Sequence, residues 1–262
     1  MTNIENLLNI MDCPAAELGE HVVRVRLFGE LELENRHGRV VSPRSNREKS
    51  WLLLKYLLAH RGREVTREEL TEKLWLGENE EQDDNAARVR LSRLRRQLTP
   101  LQLNGTKGLI MFSYGSYFLN PDYDIYTDEE LFVELLRRIK GIPVDDPVGL
   151  GLCRTALELC RGSYIEHSGS VPVLMGYRKY YDSEFAVLAR STVERAAVLD
   201  DESVMPLLCT RSAEIIPEDE ELHKAIVSFL VQRKREVELV RHISHLSFVD
   251  GTGAEWLKRE AI

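Results

Sequence analysis

Asn85–Leu98, which reads NAARVRLSRLRRQL, is the stretch that decides the fold, because it carries five arginines and no acidic residue. At roughly 100° per residue on a helical wheel, its apolar side chains share one stripe, which consists of Ala87, Leu91, Leu94 and Leu98. The opposite arc carries Asn85, Val89, Ser92 and Arg96, flanked by Arg88 and Arg93. The stretch therefore predicts a helix that turns an apolar face to a core and a basic face outward.

The basic face of this helix has two interpretations. Short side chains near the start of the helix suit base edges in a major groove, and arginines near its end suit the flanking phosphates. Charged helix faces are also common on proteins that bind no nucleic acid, where the arginines pair with acidic residues elsewhere. Helical periodicity alone leaves both interpretations open, so the neighbouring segments have to distinguish between them.

Two shorter helices are predicted before the basic helix. Ser45-x-x-Glu48 and Thr66-x-x-Glu69 have capping-box spacing, in which the hydroxyl and the carboxylate each accept from a backbone N–H of the first turn. They open apolar-periodic runs over about 47–60 and 67–76. The basic helix itself is expected to start after Asp83-Asp84, whose carboxylates complement the helix dipole, and to end before Pro100.

Strands are predicted on both sides of these helices. Alternating apolar residues over 21–41 predict short strands with turns, in a small antiparallel sheet. After the basic helix, Leu109–Phe112 and Tyr117–Leu119 flank the turn Ser113–Ser116 and predict a β-hairpin. A small sheet, three helices and a hairpin in this order make a winged helix, which places its third helix in the groove and its hairpin beside the adjacent backbone. This order favours DNA binding over a merely solvated basic face.

The remaining segments are predicted to be helical. Residues 1–20 contain a short amphipathic helix, ended by Pro14, that docks either on its own chain or on a partner. After Asn120-Pro121 we expect no further strand. Thr127-x-x-Glu130 is another capping box, and helical periodicity continues from there to about Phe248. Helices of this length with short turns suggest stacked helical hairpins, in a degenerate repeat because no clean sequence repeat is visible.

Composition restricts the class of protein. The net charge is −8, of which residues 1–125 contribute −1 and residues 126–262 contribute −7. The acidity therefore belongs to the second half of the chain, away from the basic helix. No apolar run approaches the roughly 18 residues of a membrane-spanning helix, and the N-terminus lacks the features of a secretory signal. We expect a globular protein of the cytoplasm that has no membrane contact.

The sequence offers little support for catalysis or metal binding. The four cysteines lack C-x-x-C spacing and are expected to be free, mostly buried thiols. His242-x-x-His245 has no evident third ligand. The phosphate-cradling and nucleophile-elbow motifs G-x-x-x-x-G-K-[ST], G-x-S-x-G and, after a strand, G-x-G-x-x-G do not occur. We therefore expect a protein that is not an enzyme and that uses no cofactor and no metal.

His21–Leu119 resembles the OmpR-type winged helix of SARP-like (antibiotic-regulatory) transcription factors. The resemblance rests on several motifs that occur in order: RVRLFGELEL, REKSWLLLKYLLAHRGREVTREELTEKLW, NAARVRLSRLRRQL and GSYFL. Residues 128–248 are similar to the bacterial transcriptional activation domain that follows in that family, through ALELCRGSYIE and IIPEDEELHKAIVSFL. The resemblance implies a mainly α fold with small β-sheets, in which a winged helix-turn-helix precedes a tetratricopeptide-like helical-repeat domain.

The expected domain organisation has four parts. Residues 1–20 are an N-terminal amphipathic extension, and residues 21–125 are the winged-helix DNA-binding domain. Residues 126–248 are the helical-repeat bacterial transcriptional activation domain. Residues 249–262 are a frayed tail.

The resemblance also implies the site, position by position. Base contacts are expected from Asn85, Arg88, Val89 and Ser92. Phosphate contacts are expected from Trp75, Arg93, Arg95, Arg96 and, on the hairpin, Tyr114. Tyr114 is included because Ser113 occupies the position where many family members carry an arginine that enters the minor groove. Trp75 is about as consistent with a side chain that closes the domain core, and the acidic loop Gly77–Asp84 either meets the transcription machinery, as in family members, or is simply solvated.

These features predict a sequence-specific transcriptional regulator that binds double-stranded DNA. Its helical domain would serve homodimerisation, the sensing of a small-molecule or peptide effector, or contact with RNA polymerase. The alternative is a protein-interaction scaffold or peptide receptor whose winged helix has little affinity for DNA. Retention on heparin at low salt, lost as the salt concentration rises, distinguishes the two functions.

Overall fold

The computed structural model describes residues 4–44, 49–74, 80–103, 107–169 and 171–250, and for residues 80–87 and 247–250 it describes the backbone alone. The chain divides into two compact units. The first comprises Met1–Glu130 and Ile165–Tyr177, and the second comprises Leu131–Tyr164 and Arg178–Ile262. No described helix is long and apolar enough to cross a lipid bilayer. The expected fold class, mainly α with small β-sheets, is confirmed.

The first unit contains a four-stranded sheet. Strands β1 (Val22–Arg26), β2 (Glu32–Asn35) and β3 (Gly38–Val41) run antiparallel, as the alternation of the sequence predicts. Strand β7 (Asp124–Thr127) lies parallel to β1 on its other side, so the order is β3-β2-β1-β7. The expectation of no strand after Pro121 is therefore wrong. β7 has only four residues, and a strand this short is defined by the neighbour it pairs with rather than by its own pattern.

The N-terminal helix docks on its own chain. Helix α1 (Ile4–Asp12) buries its apolar face, which consists of Ile4, Leu7, Ile10 and Met11. Arg24 of β1 donates to the carbonyl oxygens of Ile10, Met11 and Cys13 at 2.8–3.0 Å, and it also pairs with Glu34. The guanidinium therefore satisfies carbonyl groups that the end of the helix leaves without partners.

Three helices and a second sheet complete the winged helix. In chain order its elements are α2 (Lys49–Ala59), β4 (Val65–Thr66), α3 (Arg67–Leu74), α4 (Glu80–Gln97), β5 (Ile110–Ser113) and β6 (Ser116–Leu119). The short strand β4 pairs with β6, so the second sheet has the order β4-β6-β5. The three predicted helices and the hairpin are present, while the capping box expected at Ser45 and Glu48 lies outside the described residues.

Two helix starts differ in detail from the prediction. The Glu69 N–H donates to Thr66 Oγ1 at 3.2 Å, as a capping box requires. The Glu69 carboxylate accepts instead from Arg63 and Tyr56, which outcompete the backbone of Thr66 because they bring a charge and a hydroxyl. α4 begins at Glu80 rather than after Asp84, so part of the expected acidic loop is helical. Acidic residues extend back to Glu80, and negative charge there suits the start of a helix.

The chain after β7 is built from helices, as predicted. They are α5 (Asp128–Ile139), α6 (Pro147–Leu159), α7 (Pro172–Leu199), α8 (Met205–Ile215), α9 (Glu220–Gln232) and α10 (Glu236–Asp250). The predicted capping box before α5 is complete: Thr127 N–H donates to Glu130 Oε2 at 3.0 Å, and Glu130 N–H donates to Thr127 Oγ1 at 3.2 Å. The four cysteines are free thiols and three of them are buried, as expected. The frayed tail expected at the C-terminus lies mostly outside the described residues.

A short segment after α6 belongs to the first unit. The Ile165 N–H donates to the Leu27 carbonyl at 2.7 Å, and the Glu166 N–H donates to the Gly29 carbonyl at 3.2 Å. Lys55 of α2 donates to the Glu166 carbonyl at 2.5 Å. The first compact unit is therefore discontinuous in sequence, whereas the expected winged-helix domain was the continuous stretch 21–125.

Arg195 of α7 caps the C-terminal end of α5 in the second unit. Its buried guanidinium donates to the carbonyl oxygens of Ile139, Ile142 and Pro143 at 2.6–3.1 Å. Gly149 leaves room for this side chain, because a Cβ atom at Gly149 would lie 2.1 Å from Arg195 Nη1. The cation thus satisfies carbonyls at a helix C-terminus, where the helix dipole favours positive charge.

Candidate nucleic-acid interface

Helix α4 has two different faces, and the described part of the helical wheel is confirmed. Leu91, Leu94 and Leu98 are buried against the core of the first unit. The opposite face is exposed, and it consists of Arg88, Val89, Ser92, Arg93 and Arg96. Val89, the apolar member of this face, exposes 43% of its surface. The basic face of α4 is therefore accessible to an external ligand.

Two of the residues expected to contact DNA lie outside the described side chains. These are Trp75 and Asn85. The structure brings Arg88, Val89 and Ser92 together on one exposed face of α4, and it places Arg93 and Arg96 further along the same helix. The assignment of individual contacts to bases or phosphates stays a prediction.

Arg95 occupies a different position from the other arginines of α4. Its Nε and Nη2 atoms donate to the Ile110 carbonyl at 3.1 and 2.9 Å. Partial burial lowers the pKa of its guanidinium, although an arginine remains charged at any physiological pH. Arg95 therefore connects α4 to strand β5 through hydrogen bonds. This structural role differs from the phosphate contact that was expected of Arg95.

The hairpin of β5 and β6, called the wing from here on, ends in a strained two-residue turn. Tyr114 and Gly115 both have positive φ angles, 48° and 82°, as a type I′ turn requires. A tyrosine in this left-handed conformation costs about 1 kcal/mol relative to a glycine. The Tyr114 side chain is fully exposed at the tip, with 103% relative accessibility. Strain of this kind together with complete exposure is typical of a functional position.

Arg67 is a cation of this region that the sequence patterns did not reveal. It is the first residue of α3, and its backbone N–H donates to the Gly115 carbonyl at 3.2 Å. Its guanidinium lies 5.5 Å from the ring centroid of Phe112 on the wing, within cation–π range. The sequence signal was an arginine directly after the cap residue Thr66. Only the pairing of β4 with β6 shows that this position lies beside the wing.

Other cationic side chains of the first unit form ion pairs with carboxylates of the same unit. Arg63 binds the Glu69 carboxylate at 2.6 Å and holds the pKa of Glu69 at about 2. Burial, together with the hydrogen bond to Glu69, raises the pKa of the Tyr56 hydroxyl to about 12. Arg61 pairs with Glu129 and Glu130.

The arginines on the basic face of α4 differ from Arg61 and Arg63 in the charges that surround them. Among the described side chains, no carboxylate lies within 4.0 Å of Arg88, Arg93 or Arg96. Within the same part of the chain, no group of three or more His, Cys, Asp and Glu side chains is placed to hold a metal ion.

Two comparisons with known proteins agree with this geometry. Residues 44–109, which run from before α2 to the start of the wing, match the family "Transcriptional regulatory protein, C terminal". The structure of Mycobacterium tuberculosis EmbR in complex with a low affinity phosphopeptide is similar to this chain, with a TM-score of 0.59 and 15% sequence identity. The match covers 92% of this chain and 66% of the EmbR chain. No curated protein matches this sequence.

The fold similarity extends well beyond the segment that matches the family. The family match covers helices α2 to α4, and the fold similarity extends over the winged helix and the helical half together. At 15% identity, the similarity to EmbR shows the fold alone. Residues 44–109 thus match the family of the C-terminal domain of transcriptional regulatory proteins, and 92% of the chain shares the fold of the EmbR structure.

Proposed function

We propose that this chain is a sequence-specific transcriptional regulator that binds double-stranded DNA through α4 and the wing. The observation that carries the proposal is the exposed basic face of α4 opposite the buried Leu91, Leu94 and Leu98. A helix with this pair of faces enters the major groove while its hydrophobic stripe stays in the core. The proposed role is not catalytic, and the proposed location is the cytoplasm.

Individual roles follow from position along α4. Arg88, Val89 and Ser92 would contact base edges, since they precede the end of the helix and lie on its exposed face. Asn85, whose side chain lies outside the described residues, is proposed for the same role from its position in the sequence. Arg93 and Arg96, further along the helix, would contact phosphates. For Trp75, which precedes α4 and lies outside the described residues, a phosphate contact is proposed from the sequence resemblance alone. Arg95 would keep only part of its donor capacity for DNA, because two of its N–H groups already bind Ile110.

On the wing, we assign a contact with the DNA phosphate backbone to Tyr114. We add Arg67, which lies beside the wing, as a second contact residue. The tyrosine hydroxyl is a suitable donor to a phosphate oxygen. Arg67, whose guanidinium lies 5.5 Å from the ring centroid of Phe112 on the wing, would add a positive charge beside the phosphates. These two residues would extend the contact surface beyond α4.

The second unit, which is helical, would bind a protein or an effector rather than DNA. The half of the chain that contains it carries −7 of the net charge, and like charge repels a phosphate backbone within a Debye length of roughly 8–10 Å. Homodimerisation would let two winged helices occupy two half-sites. The phosphopeptide in the EmbR structure supports a peptide as one candidate effector, beside a small molecule or RNA polymerase contact.

A paired substitution in α4 tests the proposal. Against a site selected from random duplexes, Arg88→Ala is expected to reduce the preference for that site by about 1–3 kcal/mol. Arg96→Ala is expected to weaken binding to all duplexes alike and to flatten the salt dependence by about one unit. Fluorescence anisotropy over a salt series measures both quantities.

The control for this test is Arg137→Ala, which removes an exposed arginine from α5. It should leave DNA binding unchanged. Wild-type protein that is not retained on heparin or duplex DNA at low salt would support the alternative function, an interaction scaffold with a winged helix of little DNA affinity. Retention that is equal in wild type, Arg88→Ala and Arg96→Ala would show that α4 is not the DNA-reading element.

A further inference from the structure

The exposed face of α4 carries an apolar side chain, Val89, among charged and polar ones. Val89 is 43% exposed, whereas Leu91, Leu94 and Leu98 on the other face of the helix are buried. At about 100° per residue, Val89 points within about 20° of the direction opposite to these leucines. A groove that α4 enters with its exposed face would therefore meet Val89 at its floor.

Stability alone does not favour a valine at this exposed position. Valine is a poorer helix former than alanine, leucine or arginine, because its branched Cβ restricts the side chain against the preceding turn. The same branching leaves one strongly preferred χ1 rotamer in a helix, so the two methyl groups of Val89 are held in place before a ligand binds. Val89 thus presents a small, rigid apolar surface in the middle of a basic helix face.

A valine side chain has no hydrogen-bond donor or acceptor, which limits what it recognises on DNA. The floor of the major groove presents polar atoms of all four bases and, on thymine, a C5-methyl group. An apolar side chain that covers one of the polar atoms removes its water without replacing the hydrogen bond, which costs free energy. Contact with the thymine methyl group is favourable instead, because both surfaces leave water.

We propose that Val89 contacts the C5-methyl group of a thymine in the major groove and thereby selects the base at that position. This inference rests on the proposed DNA binding through α4 and adds the chemical group that one of its residues recognises. Ser92 and Arg93 follow Val89 by three and four positions, so they are its neighbours on the helix surface and place polar donors beside the contact. The recognised group is a methyl on C5 of a pyrimidine, which 5-methylcytosine also carries.

The first experiment removes only the methyl group from the DNA. In a duplex selected by the full chain from random sequences, each thymine is replaced in turn by deoxyuridine, which keeps every donor and acceptor of thymine. Fluorescence anisotropy should show that the affinity falls about four-fold at one position or more, as expected when one methyl group is no longer buried. Unchanged affinity at every thymine, or a selected site that contains no thymine, would overturn the proposal.

Cytosine and 5-methylcytosine at the sensitive position distinguish the two sources of the methyl group. Tighter binding of 5-methylcytosine than of cytosine, by about the same factor, would show that the methyl group is recognised on either base. Equal binding of the two would assign the contact to thymine alone.

The second experiment uses Val89→Ala, which shortens the side chain without endangering the helix, because alanine is the better helix former. This variant should bind the selected site about four-fold more weakly than the wild type. Deoxyuridine at the sensitive position should then cause no further loss, because the two changes remove the same contact. The matched control is Val133→Ala on α5, where the valine is 47% exposed, and it should keep the full sensitivity to deoxyuridine. Equal sensitivity in Val89→Ala and the wild type would contradict the assigned contact.

These measurements separate the inference from the proposed function. A full chain that binds no duplex DNA at low salt would overturn both. A chain that binds a selected duplex, responds to Arg88→Ala and Arg96→Ala as proposed and tolerates deoxyuridine at every thymine would overturn the inference about Val89 alone.

Discussion

At the scale of single residues, His223 and His242 make the stability of the chain depend on pH. Both rings are buried and neutral, and desolvation lowers the pKa of each below the ordinary value of 6.5. The unfolded chain therefore binds more protons than the folded chain once the pH falls below about 6.5. The contribution of the neutral pair is complete above pH 6.5, and for His242 it is lost as the pH falls toward about 3.

We predict that the free energy of unfolding falls by about 2 kcal/mol between pH 7.5 and pH 5 for the His242 contribution alone, since each pH unit below 6.5 costs about 1.4 kcal/mol. Urea unfolding of the full chain at the two pH values measures this change. The carboxylates with lowered pKa values, such as Glu69 and Glu134, act only below their unfolded pKa of about 4.5. Burial raises the pKa of Asp182 to about 6, so this residue gains a proton in the folded chain over the same pH range and offsets part of the change. The difference between the wild type and a His242 variant therefore isolates the His242 contribution.

Two substitutions make this measurement specific. His242→Leu should remove the His242 contribution of about 2 kcal/mol from the pH dependence, whatever its effect on stability at pH 7.5. His37→Gln, which changes a partly exposed histidine, should retain it. Equal pH dependence in the wild type and in His242→Leu would show that His242 accepts a proton without cost.

At the scale of elements, α4 carries the clearest test of the packing. Leu94 is completely buried, whereas Val89 on the same helix is 43% exposed. We predict that Leu94→Asp destabilises the winged helix by several kcal/mol, because it places an unpaired carboxylate in the core. Val89→Asp introduces the same charge on the outer face and should change stability by less than about 1 kcal/mol. Thermal and urea unfolding of the full chain compare the two variants, and equal melting would place both faces in solvent.

The elements also show where sequence patterns are sufficient. The stripe Leu91, Leu94 and Leu98 repeats at helical spacing, so the buried face of α4 could be assigned without coordinates. Arg95 lies at the border between the two faces, and the wheel does not indicate whether it points to DNA or to the wing. The structure assigns it to Ile110 because β5 passes beside this part of α4. The role of a residue at such a border is determined by the element that packs beside it.

At the scale of the whole molecule, the discontinuous first unit has a measurable consequence. The amides of Ile165 and Glu166 donate to carbonyls next to β1, so they should exchange with solvent at the rates of that strand. In the Leu94→Asp variant we predict that Ile165–Tyr177 loses protection together with β1, while α8 to α10 keep theirs. Hydrogen exchange followed by mass spectrometry tests this in the full chain. Exchange of Ile165–Tyr177 in step with α8 to α10 would assign the segment to the second unit.

Amino-acid patterns are sufficient to predict the elements whose formation depends on residues close by in the sequence. They predict the helices of the winged helix, the wing, the complete capping box at Thr127 and Glu130 and the helical second half, because helical periodicity, turn residues and caps act within a few positions. The same patterns locate the basic face of α4. The fold class and the candidate interface therefore follow from the order of the residues alone.

The features that join distant residues depend on tertiary contacts instead. They are the parallel pairing of β7 with β1, the return of Ile165–Tyr177 to the first unit, the position of Arg67 beside the wing and the His223–His242 pair. A strand of four residues or a single histidine looks the same in sequence whether or not a partner lies beside it. Its role is set by the free energy of burial and hydrogen bonding with that partner, which no local pattern encodes.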